Sequence, residues 1–337
     1  MKRSYVPLLI FFAIAMVIPL FVTNTYYLNT IILILLYGYL ATSWNIVGGF
    51  AGQLSFGHAA FLALGGYVST ILFSQMGISP WIGMLIGGVV AATVAIVLAI
   101  PTSRLKGAYY AIATIAFATG LMIILQTVTD IGPIHIGGAE GLNVTYKPDA
   151  TFWDYQFQSK VPYYYIILTF SVIVLFISWY IDRSKLGYYL TAIREDQDAA
   201  KALGINVPKM KIYAAGISGF LTAIGGSFYA QYFRYLEPHF IAGPDFSSQM
   251  VFLTIVGGIG TVFGPFVGGV VLTTVAEFTR VTFTDLPAGS HLVIYGIAVL
   301  LVMLYFPKGI TTPIQEKYHQ LIQKFVSSRK PKVRGSD

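Results

Sequence analysis

Of the 337 residues, 56% are hydrophobic and 10% charged, and the mean hydropathy is +0.71; this exceeds what a water-soluble core needs and predicts an all-α integral membrane protein. A formal charge of +7 would suit nucleic acid, but no basic and aromatic cluster forms a surface module, which argues against that class. The chain has no cysteine, which excludes disulfides and thiolate chemistry.

In chain order, apolar blocks run near 7–22, 28–47, 58–75, 81–101, 109–128, 162–181, 211–232, 245–260, 262–279 and 291–306. They predict about ten transmembrane helices, some short or broken, with the N- and C-termini cytoplasmic. The first block follows Lys2 and Arg3 as the core of a signal peptide would. No small-x-small cleavage site follows in F-V-T-N-T-Y-Y-L, so it reads as a retained helix. From Asp245 only about 14 residues precede Gly258, about 21 Å of helix against a hydrocarbon core of about 30 Å. The stretch 245–280 is therefore either two crossings or one re-entrant hairpin, and both leave the C-terminus on the same side.

Basic residues fix the orientation. Seventeen of the 21 Lys and Arg fall at the N-terminus, beside 104–106, in 181–211 and after Phe306, all inside under this topology; Lys147, Lys160, Arg234 and Arg280 fall outside, as the positive-inside rule requires. The longest outer segment, 129–161, carries four acids and two lysines and is dense in turn formers over 129–142. It suits a surface that receives a soluble protein, or a cover for an outer vestibule.

Between the sixth and seventh blocks lies a polar island, 182–210. Asp196, Asp198, Ala199, Ala200, Lys201 and Leu203 suit a short helix of about two to three turns, with Gly204 placed to stop it and Pro208 barring its continuation. This is either a solvated loop or an amphipathic helix that fits a groove on a partner protein.

Glycine marks two further stretches, G-G-F-A-G-Q-L-S-F-G-H-A-A-F-L-A-L-G-G at 48–66 and G-G-I-G-T-V-F-G-P-F-V-G-G at 257–269. Interrupted hydrophobic segments point to a transport site, because broken helices free backbone amides and helix ends for polar cargo. Gly52, Gln53, Ser55, Gly57, His58, Gly257, Gly258, Gly260 and Gly264 are accordingly candidates to line a translocation path. Close helix packing is the competing reading, since Gly83 with Gly87 and Gly264 with Gly268 have G-x-x-x-G spacing. Gln53, Ser55 and His58 read as interfacial or shallow. No carboxylate or lysine occupies a helix centre, where ion-coupled carriers usually keep one, so the driving force is expected from elsewhere. His58 has no second His or carboxylate at metal spacing and reads as the opening residue of a helix; no metal and no cofactor are expected. The phosphate loop G-x-x-x-x-G-K-[ST], H-E-x-x-H and G-x-S-x-G are all missing, so the chain is expected neither to be an enzyme nor to hydrolyse ATP itself.

The stretch W-N-I-V-G-G-F-A-G-Q-L-S-F-G-H-A-A-F-L-A-L-G-G-Y at 44–67 resembles the signature of M-type branched-chain amino acid permeases of bacterial ABC importers. Similar matches are L-K-G-A-Y-Y-A-I-A-T-I-A-F at 105–117, G-G-A-E-G-L at 137–142, A-I-R-E-D-Q-D-A-A-K-A-L-G-I at 192–205 and V-G-G-I-G-T-V-F-G-P-F-V-G-G at 256–269. The resemblance covers roughly 30–306 and the tails are not part of it; the sequence divides into a permease domain over 1–306 and a basic cytoplasmic tail over 307–337. The resemblance implies import of leucine, isoleucine or valine across the bacterial cytoplasmic membrane. The implied partners are a second homologous permease, two cytoplasmic ATP-binding subunits and an extracytoplasmic substrate-binding protein. The island then becomes the coupling loop that docks on the ATPase, with Arg194, Glu195, Asp198, Ala199, Ala200 and Gly204; of these Asp198, Ala199, Ala200 and Gly204 match the D/E-A-A-x-x-x-G core of ABC-importer permeases. The longer tail of that family motif is not matched, because Ile205-Asn206-Val207-Pro208 follows at once. Related importers of urea or short amides share most of these motifs, whereas an ion-coupled secondary carrier shares only the ten-helix pattern.

Overall fold

A computed structural model describes residues 6–22, 24–282, 290–307 and 309–311. Lys2, Arg3 and the tail beyond Thr311 lie outside the described residues. The helices are α1 (Val6–Phe21), α2 (Thr25–Asn45), α3 (His58–Met76), α4 (Pro80–Thr102), α5 (Ala108–Thr127), α6 (Val161–Arg183), α7 (Lys185–Glu195), α8 (Gln197–Ala202), α9 (Val207–Phe233), α10 (Pro238–Ala242), α11 (Pro244–Gly257), α12 (Gly264–Thr282) and α13 (Ser290–Tyr305). Proline stands in the first turn of α4, α6, α9, α10 and α11, where its missing N–H costs no helical bond. The two short antiparallel ladders, β1 (Asp130–Ile131) with β2 (Ile134–His135) and β3 (Leu142–Asn143) with β4 (Tyr235–Leu236), lie in the loops.

Each apolar block carries a helix, but among the described residues six are long and apolar enough to cross a membrane: α2 with its π-helical extension to Phe50, then α3, α4, α5, α6 and α9. The expected ten crossings are thus not reached on length and apolarity. Helices α1, α11 and α13 have only 16, 14 and 16 residues. Helix α12 has 19 residues but includes Thr273, Thr274, Glu277 and Arg280. Helix α11, about 21 Å long at about 1.5 Å per residue, turns back at 258–263 into α12, against which it packs.

Helices α2 and α9 are the most enclosed spans and α5 the least. Helix α9 packs along α3 and α4, while α2 packs against α6, α11 and α12. Small residues set the α3–α9 spacing. A Cβ on Gly65 would collide with the Ala223 carbonyl, and one on Gly226 with that of Leu62. In lipid such close approach supplies the packing that hydrophobic burial supplies in water.

With its extension, α2 runs 26 residues, about 39 Å, and joins two polar ends. At one, Asn29 Oδ1 accepts from Lys160 Nζ at 3.0 Å. At the other, the Gly49 carbonyl accepts from Arg194 at 3.0 Å. Lys106, Arg194, Lys201 and Lys211 share the second end. Lys147 and Arg234 belong to the first, with the β3–β4 ladder, and Arg280 lies close to Tyr26 there. The charges separate by end in the sense expected for inside and outside.

Candidate functional site

The site is built around the break between α2 and α3. After a π-helical turn, Ile46–Phe50, the chain runs non-helically through 51–57 before α3 opens at His58. Buried backbone without helical partners has to bond within the protein. Accordingly Phe56 N–H donates to Thr114 Oγ1 at 3.1 Å and Ala59 N–H to Ser247 Oγ at 2.8 Å. The Trp44 indole N–H donates to the Ser55 carbonyl at 2.7 Å.

His58 opens α3, as expected, and is buried within the protein, as are Gln53 and Ser55. Its ring has two partners, Ser55 Oγ on Nδ1 at 2.9 Å and Ser218 Oγ on Nε2 at 2.8 Å. The Ser218 hydroxyl already donates to the Ser43 carbonyl at 2.7 Å, so Nε2 carries the proton and Nδ1 accepts from Ser55. Both nitrogens are occupied in holding the break to α9. The void beside His58 measures about 10 Å³, room for about one water.

The two glycine-rich stretches, 48–66 and 257–269, meet. Asn45 Nδ2 donates to the Thr261 carbonyl and Asn45 Oδ1 accepts from Gly260 N–H, both at 2.9 Å. A Cβ on Gly49 would stand 2.6 Å from Gly260 N. Gly257, Gly258 and Gly264 are buried where α11 turns against α12: a Cβ on Gly264 would stand 2.5 Å from the Gly258 carbonyl. Gly57 is also buried, with space for a Cβ only 3.1 Å from the Thr114 carbonyl. Gly52 is exposed.

The island folds as two helices. Helix α8 has six residues, fewer than the two to three turns expected. Asp196 caps it by accepting from the N–H groups of Asp198 and Ala199 at 2.8 and 3.0 Å, and Gly204 stops it in the left-handed region at φ +83°. Helix α7 is the larger element, and the sequence reading left it out. Its signal was present in Leu186, Leu190 and Ile193 at i, i+4 and i+7, one face of a helix. Ala200 turns inward to join Ile193 and Val207 in a small core, while Ala199 and Leu203 remain exposed.

Three polar ties hold the island to the membrane helices. Lys106 in the α4–α5 turn pairs with Asp198 at 2.8 Å, and Lys106 holds the Asp198 carboxyl below the usual aspartate range. Lys211 of α9 donates to Gln197 at 3.1 Å and to the Ser103 carbonyl at 3.3 Å. Arg194 donates to the Gly49 carbonyl and, through Nε and NH2, to Glu195 at 3.3 and 3.0 Å. Between island, turn and break lies a cavity of about 300 Å³ whose lining includes Gln53, Lys106, Tyr110 and Lys211. Lys106, Gln197, Lys211, Asn45, Thr114, Ser218 and Ser247 were not singled out from sequence, because each acts through a contact with a distant segment.

Residues 26–304 match the family described as "Branched-chain amino acid transport system / permease component". Among curated proteins, the high-affinity branched-chain amino acid transport system permease protein LivM of Escherichia coli (strain K12) is 27% identical over 299 residues, covering 82% of this chain and 68% of the relative. The corresponding protein BraD of Pseudomonas aeruginosa is 26% identical, covering 81% and 91%. The ribose import permease protein RbsC of Haemophilus influenzae is 26% identical, covering 90% and 92%. This chain belongs to the family of branched-chain amino acid transport permease components.

Proposed function

We propose that this chain is the membrane-spanning permease subunit of an ABC importer that brings leucine, isoleucine or valine into the cell, driven by ATP hydrolysed on partner subunits. The observation that carries this is the family match over 26–304. The curated relatives named for branched-chain amino acids favour that cargo over urea or short amides. In this reading the chain pairs with a second, homologous permease in the bacterial cytoplasmic membrane. An extracytoplasmic binding protein delivers cargo to the 129–161 side, and two ATP-binding subunits dock on the α7–α8 island at the other. The short helices α1, α11, α12 and α13 complete ten membrane segments, with both termini cytoplasmic.

In this reading polar cargo is solvated in passing by backbone groups of the two helix breaks. A zwitterion needs its carboxylate and ammonium solvated in transit, and the helix breaks at 51–57 and 258–263 place backbone amides and carbonyls close to each other. Rearrangement of the ATPases would expose this region to each side in turn.

The test is uptake of radiolabelled leucine by vesicles carrying the full complex and its binding protein. Uptake is expected to persist when proton and sodium gradients are collapsed, to stop without ATP, and to be competed by isoleucine and valine but not by urea or ribose. Gradient-driven uptake by this chain alone would overturn the proposal.

A further inference from the structure

Arg194 is poorly used by a docking role. It sits one residue before the end of α7 with its side chain 32% exposed, and its guanidinium reaches the break between α2 and α3. There NH1 donates to the Gly49 carbonyl at 3.0 Å, in the π-helical turn where α2 breaks. Two glycines from segments about 200 residues apart make space for it. Gly52, at φ +66°, would place a Cβ 2.8 Å from Arg194 Cγ, and Gly260, at φ +72°, would drive one into the guanidinium. Both adopt the left-handed region that glycine enters without strain. Asn45 clamps the two segments together on the same node. Both helix breaks, 51–57 and 258–263, thus close on one cationic side chain rooted in the island.

The other two ties do not reach the breaks by hydrogen bonds. Lys106 and Asp198 are 55% and 70% exposed, which leaves their pairing open to screening by salt, and Lys211 bonds to Ser103 and Gln197. Arg194 pairs through Nε and NH2 with Glu195, which is 72% exposed and open to the same screening; what sets it apart is its NH1 bond to the break. A planar fork transmits a displacement that a single ammonium on a flexible stem does not.

We propose that Arg194 is a positioning residue that acts as a lever, through which movement of the α7–α8 island shifts both helix breaks together. The proposal rests on the ABC importer reading given above. Its consequence is that removing the guanidinium separates ATP hydrolysis from transport.

The experiment compares ATP hydrolysed per leucine imported for the reconstituted full complex carrying wild type, Arg194→Gln or Arg194→Lys. Glutamine keeps a polar side chain but is too short to reach Gly49; it is expected to raise the ratio at least about tenfold, with the ATPase subunits retained in normal amount. Lysine supplies one donor and no fork, and is expected at about threefold; it decides alone if the glutamine variant does not accumulate. A wild-type ratio in the deciding variant overturns the lever. Loss of the ATPase subunits from Arg194→Gln also overturns it, because Arg194 is then a docking residue. Absence of ATP-driven uptake in the wild-type complex overturns the importer reading as well, and is seen before any substitution is made.

Discussion

Glutamate at position 200 or at position 203 separates the face of the island that folds from the face left free for a partner. Ala200 is 2% exposed and packs with Ile193 and Val207, whereas Leu203, three residues on, is 80% exposed. A glutamate at 200 overfills that small core, at about 1–3 kcal/mol, and buries a polar group without a partner, at about 1–3 kcal/mol more. Part of this is recovered as α8 peels away, because so small a core opens locally before the membrane helices do. A net cost of about 3 kcal/mol raises the open population of the island on the order of 10²-fold. Limited trypsinolysis of the purified full chain at Arg194 and Lys209, read by mass spectrometry, follows that population when reclosing outpaces cleavage. Ala200→Glu is expected to be cut about 10²-fold faster than wild type, and Leu203→Glu within about twofold. Leu203→Glu is expected instead to lose the ATPase subunits on co-purification, since a charge enters an exposed apolar position. Wild-type proteolysis of Ala200→Glu with loss of the ATPase would place Ala200 on the docking face and refute the packing argument.

Further outcomes follow from the two ends and the breaks. In this cysteine-free chain, Asp149→Cys is expected to react with an impermeant maleimide in sealed cells and Lys201→Cys only after permeabilisation; outside labelling of both removes the assigned topology. Gly264→Leu is expected to lower the thermal stability of the purified permease and abolish uptake together, because a side chain there meets the Gly258 carbonyl; a wild-type melting curve refutes this. Gly57→Leu is expected to abolish uptake, since its Cβ has only the 3.1 Å gap to the Thr114 carbonyl; normal uptake refutes that tight fit. In the loop 129–161, Lys147 and Thr151 hold the Asp154 carboxyl down to about 2. A lowered carboxyl stabilises the fold above the usual aspartate range and loses that contribution only as pH falls toward 2. Protease resistance of 146–157 is therefore expected to stay level from pH 7 to 4 in wild type and to be lower throughout in Asp154→Asn; a fall between pH 7 and 4 in wild type refutes it.

Much of the architecture is already determined by the sequence. Blocks of apolar residues require helices because lipid offers the backbone no hydrogen bonds, and every block contains one. The sorting of Lys106 and Lys211 to one end and Lys147 and Lys160 to the other follows from charge alone. The stop at Gly204 is local chemistry, an αL position that glycine fills. The family, too, is carried by local motifs and agrees with the match over 26–304.

What only the tertiary structure decided is which face each of these residues presents and to whom. The motif in 194–204 places Ala200 on a small-residue docking face, but the packing of α7 beneath α8 turns it inward. His58 could be assigned a role only once Ser218, 160 residues away, supplied the second partner for its ring. The convergence of Gly49, Gly52 and Gly260 on Arg194 has no periodicity to betray it, because the three glycines come from two breaks on separate helices and the arginine from a third segment. Spacing along a chain encodes local geometry, whereas contacts between distant segments depend on how the helices pack, and the node around Arg194 is made of such contacts.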